Sequence, residues 1–133
     1  MRFWLVLILL LGLGLPRLVQ ADEIKTLDGV RYACTGIGES KEDPRWEKFP
    51  LKLMFTARGT AYVSFVQVQI RDSNQKTVLS ADCDAPWLLV DLPAGTYRVK
   101  ATALKRFTQE ATVQVKAGSQ TEKVLRFSQI SGE

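Results

Sequence analysis

Apolar and polar residues alternate with period two through most of the chain. Leu51, Leu53 and Phe55 interleave with Lys52, Met54 and Thr56, and Val66, Val68 and Ile70 interleave with Gln67, Gln69 and Arg71. The rhythm returns in Leu79, Ala81 and Cys83, in Tyr97, Val99, Ala101 and Ala103, and in Ala111, Val113 and Val115. Successive side chains of a strand point to opposite faces, so each run predicts a strand with one face on a core and the other in water. Six or seven such strands joined by short polar turns predict an all-β fold, an antiparallel sandwich. No run carries a long 3.6-residue period, which argues against a helical fold.

The boundaries follow from the same pattern. Residues 22–29 read as a polar lead-in, 30–33 as a short edge strand, 30–127 as the sandwich and 128–133 as a tail. Residues 36–50, "GIGESKEDPRWEKFP", are charged and hold two prolines, so they predict a long loop with one helical turn near 44–47. In "LLVDLPAGTYRV", residues 88–99, Pro93 fixes φ and gives up a donor, and Gly95 turns without a Cβ clash. With apolar alternation on both sides, Pro93, Gly95 and Tyr97 form a structural turn, read as a β-hairpin.

The first residues break this pattern. Arg2 precedes an apolar or glycine run from Phe3 to Leu15, then Pro16 and Arg17, with small residues Val19 and Ala21. This is the layout of an export signal cleaved after Ala21, which places the mature protein in the periplasm. Such a run is shorter than the roughly 20 residues that span a bilayer, although retention as an anchor is the alternative. Removing Arg2 and Arg17 takes the 18 basic residues to 16 against 14 acidic ones, so the net charge falls from +4 to +2. A charge so small is no footprint of nucleic-acid binding.

Cys34 and Cys83 both lie in the exported portion, where an isolated pair predicts a disulfide. A redox pair usually comes as C-x-x-C and a metal site needs more ligands, so neither is expected. The chain has no histidine, which removes the commonest general base and metal ligand together. Ser73 to Lys76, "SNQK", matches a Ser-x-x-Lys string, but that chemistry needs a helix and this segment reads as a turn. Gly36-Ile37-Gly38 lacks the third glycine of a phosphate loop. Asp82, Asp84 and Asp91 lack the ligand spacing of a calcium loop and read as solvated turn acids. No catalytic residue, metal or cofactor is expected.

Trp46 and Trp87 stand beside turns and are the candidate binding residues, able to stack on a sugar or anchor a partner. The alternative is that Trp87 caps the core and Trp46 pins the loop over it. Lys52, Arg58, Arg71, Arg98, Lys100 and Lys116 form a candidate outward basic row for an anionic envelope polymer, or an ordinary wet face.

The strings "VQVQIRDSNQKTVL" at 66–79 and "DLPAGTYRVKA" at 91–101 resemble the carboxypeptidase regulatory-like domain, which implies a seven-stranded antiparallel Ig-like/transthyretin-like β-sandwich. Asp72, Leu92, Pro93, Gly95, Tyr97 and Val99 occupy the places of that family's motif, and the likeness covers about residues 61–127. Asp84-Ala85-Pro86-Trp87 departs from it, where the family usually has glycine and an aromatic. The longer pattern is similar to small exported bacterial proteins carrying the domain. The resemblance implies a non-catalytic accessory or binding module that meets an envelope protein or carbohydrate. An assembly chaperone for surface structures is the runner-up, and an enzyme of another type comes last.

Overall fold

A computed structural model of the chain describes residues 23–59 and 61–131. The alternating runs become nine strands: β1 (Ile24–Leu27), β2 (Val30–Thr35), β3 (Leu51–Arg58), β4 (Val66–Arg71), β5 (Thr77–Cys83), β6 (Trp87–Val90), β7 (Gly95–Ala103), β8 (Phe107–Val115) and β9 (Thr121–Ser131). They form a two-sheet, all-β sandwich, with the orders β1-β2-β6-β3-β9 and β5-β4-β7-β8. Between the sheets lie Leu51, Leu53, Phe55, Leu88, Val90 and Phe127 from the first, and Val66, Val68, Ile70, Leu79 and Val99 from the second. Each fully buried Leu, Ile, Val or Phe contributes about 1.5–3 kcal/mol, so these inward positions stabilise the pairing of the sheets. Cys34 in β2 and Cys83 in β5 form the expected disulfide, Cα–Cα 5.5 Å, and it clasps one sheet to the other.

A second apolar cluster lies on the outer face of the five-stranded sheet. Ala33, Trp87 and Leu89 point outward there, and Trp46 and Phe49 close over them from the long loop. That loop contains two 3₁₀ turns, Gly38–Glu42 and Pro44–Lys48, the second at the expected helical turn. Asp43 caps it by accepting from the Arg45 backbone N–H at 2.9 Å. β6 is therefore covered on both faces, which explains its unbroken apolar run.

The fold departs from the sequence expectations in four places. The described residues hold nine strands, not seven; the polar lead-in supplies β1, and β9 runs on into the expected tail as far as Ser131. β2 is an interior strand between β1 and β6, not an edge. The sheets are not wholly antiparallel, since β3 and β9 run parallel, with Leu53 opposite Lys123 and Phe55 opposite Leu125. The Pro93–Gly95 corner is not a hairpin: β6 belongs to one sheet and β7 to the other, so the corner is a crossover between layers. Turn chemistry reports that the chain reverses; it does not report which layer receives the next strand. The export signal and its cleavage site lie outside the described residues.

The ladders define two ends. Val66 pairs with Cys83 and Ala103, Thr35 and Met54 both pair with Trp87, and Arg58 pairs with Ser131. The 58–65 connection, the 84–86 and 104–106 turns and the start of β1 therefore share one end, called the Phe65 end. The opposite, Pro93 end carries residues 28–29, 72–76, 91–94 and 117–120.

Candidate binding surface

Both candidate tryptophans are buried, Trp46 to 3% exposure and Trp87 to 8%. Trp46 donates its Nε1–H to the Ser40 carbonyl at 2.7 Å and lies 6.2 Å, centroid to centroid, from the Phe49 ring. The Arg45 guanidinium stands 4.8 Å above the Trp46 ring. Lys52 Nζ sits 3.6 Å from the Trp87 ring centroid. Gly36, at φ +101°, presses on the same indole, where an added Cβ would fall 2.7 Å from Cγ. Trp87 Nε1 is buried without a partner among the described residues. With neighbours over their rings, the two indoles hold the loop to the sheet and offer no open stacking face.

The Pro93 corner is structural. Tyr97 donates its hydroxyl to the Pro93 carbonyl at 2.7 Å, and burial, with Asp72 nearby, holds its pKa above the ordinary tyrosine value. The Ser73–Lys76 string lies in a turn organised by Asp72, whose Oδ1 accepts from the Asn74 and Lys76 backbone N–H groups. Asp43 is held below the usual carboxylate range by its bonds to Arg45. Asp91 lies at the Pro93 end, 3.4 Å from Arg31, well apart from Asp82 and Asp84. The basic residues do not form one row. Lys52 and Arg58 lie on the five-stranded sheet, Arg71, Arg98 and Lys100 on the other, and Arg98 is bonded to Glu110 and Thr112.

The strand register brings a different group together. On the outer face of the four-stranded sheet, Asp82, Gln67 and Thr102 stand side by side on β5, β4 and β7, and Ser80, Gln69 and Lys100 form the next row. They line a depression of about 210 Å³. Gln67, Asp82 and Thr102 also line a cavity of about 470 Å³ that opens at the Phe65 end between Phe65, Leu104, Lys25 and Lys105. The shared residues make the two a single trough. Among the described residues, the side chains of Gln67, Ser80, Asp82 and Lys100 make no hydrogen bond or ion pair, unlike the Arg98–Glu110–Thr112 group beyond them. The floor offers amide, hydroxyl, carboxylate and ammonium groups, a set that can donate to and accept from a polyhydroxylated ligand.

Asp82 and Lys100 stand out in the sequence for other reasons, as a turn acid and as a member of the basic row. Every floor residue occupies an outward phase of its strand, which the alternation identifies; that β5, β4 and β7 are neighbours is not readable from it. Phe65 and Leu104 carry a fainter mark, since each is a large apolar residue beside an inward one, Val66 and Ala103. No protein-family model matches the chain, and no curated protein matches its sequence. Among the described residues no helix is long and apolar enough to cross a membrane.

Proposed function

We propose that this protein is an exported, non-catalytic accessory module of the periplasm that holds an envelope glycan in the trough of its four-stranded sheet. The four uncommitted side chains of that floor, Gln67, Ser80, Asp82 and Lys100, are the observation that carries the reading, while Gln69 and Thr102 bond Thr77 and Thr108. Sugar hydroxyls lie close together in both donor and acceptor roles, and adjacent strands about 4.8 Å apart present matching groups at comparable intervals. The interior strands β4 and β7 use their backbone groups in the ladders, so side chains do the recognition in the floor. The export signal and the histidine-free composition support an accessory role over catalysis. In this reading the fold is a carboxypeptidase regulatory-like, transthyretin-like variant, a likeness supported by the Asp72 turn and the Tyr97–Pro93 corner.

The test is co-sedimentation with purified peptidoglycan sacculi at elevated salt, which suppresses nonspecific charge binding. The wild-type chain pellets with the sacculi, and Q67A/D82A loses at least tenfold in retention. A wild-type chain left in the supernatant, or a variant that pellets equally well, refutes the reading.

A protein partner is the second reading, favoured by β5. This edge strand, "TVLSADC", has no lysine, arginine or proline to blunt it, so its unpaired backbone groups suit an added strand, as in a chaperone–subunit complex. Binding of that kind survives Q67A/D82A, because it rests on the backbone.

A further inference from the structure

The exposed apolar residues of the described chain are unevenly distributed. Six large ones are exposed: Leu27, Ile37, Tyr62, Phe65, Leu104 and Val124. Ile37, Tyr62, Phe65 and Leu104 gather at the Phe65 end, with Phe65 exposed to 76% and Leu104 to 60%. Scattered exposed apolar residues are ordinary, whereas a group at one end marks an interaction surface.

The backbone adds to this. Phe65 has φ +63°, and Leu104 and Lys105 have φ +55° and +58°. The Arg106 N–H closes the turn onto the Ala103 carbonyl at 3.1 Å, so Leu104 and Lys105 are the central pair of a hairpin turn with both φ positive. Asn-Gly is the favoured pair there, and a bulky side chain in the left-handed region costs about 1–2 kcal/mol. Leu-Lys and Phe are held in these conformations with their side chains in solvent, so their burial does not offset the strain.

We infer that the Phe65 end seats in the interfacial layer of a phospholipid bilayer, with Tyr62, Phe65 and Leu104 entering the headgroup–acyl boundary. Three features select a bilayer over a folded partner. First, the apolar residues sit on separate connections: Ile37 follows β2, Tyr62 and Phe65 precede β4, and Leu104 caps the β7–β8 turn. Phe65 and Leu104 face one open cavity while Ile37 and Tyr62 stand on other connections, and a fluid interface accepts such a group without a shape-matched surface. Second, Lys25, Arg58, Lys105 and Arg106 belong to the same end and can meet lipid phosphates. Asp82 and Asp84 also border the cavity, so apolar insertion carries the docking more than net charge does. Third, β1 starts at this end, so where the export run is retained as an anchor, the alternative to cleavage after Ala21, it joins the fold here. The nine residue-to-residue steps from Leu15 to Ile24 reach about 30 Å when fully extended, which keeps this end near the membrane whenever that run is in it.

The test uses protein recovered after export with its disulfide formed, its first residue fixed by mass, and flotation with vesicles of phosphatidylethanolamine and phosphatidylglycerol. Wild type floats with the vesicles, and F65N/L104N lowers the partition at least tenfold. Asparagine tolerates positive φ and neither side chain is in the core, so this variant keeps the wild-type circular dichroism. L27N/V124N, which removes the two exposed apolar residues elsewhere, floats as wild type does. Three results each overturn the inference: no flotation of wild type, equal flotation of F65N/L104N, or loss by F65N/L104N of a self-association seen without lipid. Sacculus binding through Gln67 and Asp82 is read separately, so failure of one proposal leaves the other standing.

Discussion

At the Pro93 end, side chains tie the connections down. Tyr97 bonds the Pro93 carbonyl, and Gln120 Nε2 donates to the Trp46 and Phe49 carbonyls at 2.7 and 3.0 Å. Asp72 Oδ1 holds two backbone N–H groups, and Thr121 Oγ1 donates to the Gln114 carbonyl. At the Phe65 end the 58–65 and 104–106 connections are held by backbone bonds alone among the described residues, such as Val63 N to the Phe55 carbonyl at 2.9 Å. Their large side chains are left in solvent. The 58–65 and 104–106 connections therefore leave apolar side chains outward, whereas the Pro93 end spends polar side chains on holding its connections, as Ser40 does for Ile37 at the end of β2. The contrast teaches where to look for stability and where to look for contact.

Removing the clasp affects both ends. C34S/C83S deletes a link across a sequence separation of 49, and the chain-entropy argument sets the loss at about 4 kcal/mol, read as a fall in the guanidinium midpoint. A loss below about 1 kcal/mol would mean that the sheets hold together without it. The next effect is confined to the Pro93 end. Q120A strips the donor from two partly buried carbonyls and costs about 1–3 kcal/mol by the same measurement.

Y97F removes one hydroxyl bond and costs about 1 kcal/mol at neutral pH. Its pH dependence sharpens the comparison. The folded pKa of Tyr97 is raised, so the contribution of the protonated hydroxyl is complete below the ordinary value of 10.0 and is lost as pH rises through the folded pKa. Wild-type melting temperature therefore falls more steeply above about pH 10 than that of Y97F, and parallel curves would contradict the assignment. The smallest effect lies at the Phe65 end. F65N and L104N each leave stability unchanged or raise it by up to about 1 kcal/mol, since asparagine relieves a positive-φ strain and no core contact is lost. A destabilisation as large as that of Q120A would erase the distinction between the ends.

Much of this was legible from residue order. Each alternating run became a strand, the two cysteines joined, and residues 36–50 formed a loop with a turn at Pro44. Asp22 to Gly29 misled because its short polar strand is an edge that buries little, and burial is what makes alternation visible. Trp46 and Trp87 drew attention as aromatics beside turns, but position along a chain does not disclose what closes over a ring. The trough was hidden for a related reason: its floor joins β5, β4 and β7, and a period says which face a residue takes but not which strand lies beside it.

Strand content, inward and outward phase, the chance of a sulfur clasp and the lack of imidazole chemistry are local or compositional properties, so the amino-acid order was enough to determine them. The pairing of β3 with β9, the crossover at Pro93, the burial of the indoles and the gathering of Phe65 with Leu104 required the folded chain. Each depends on segments far apart in sequence meeting in space, and the free energy that selects among such meetings is a property of the whole packing.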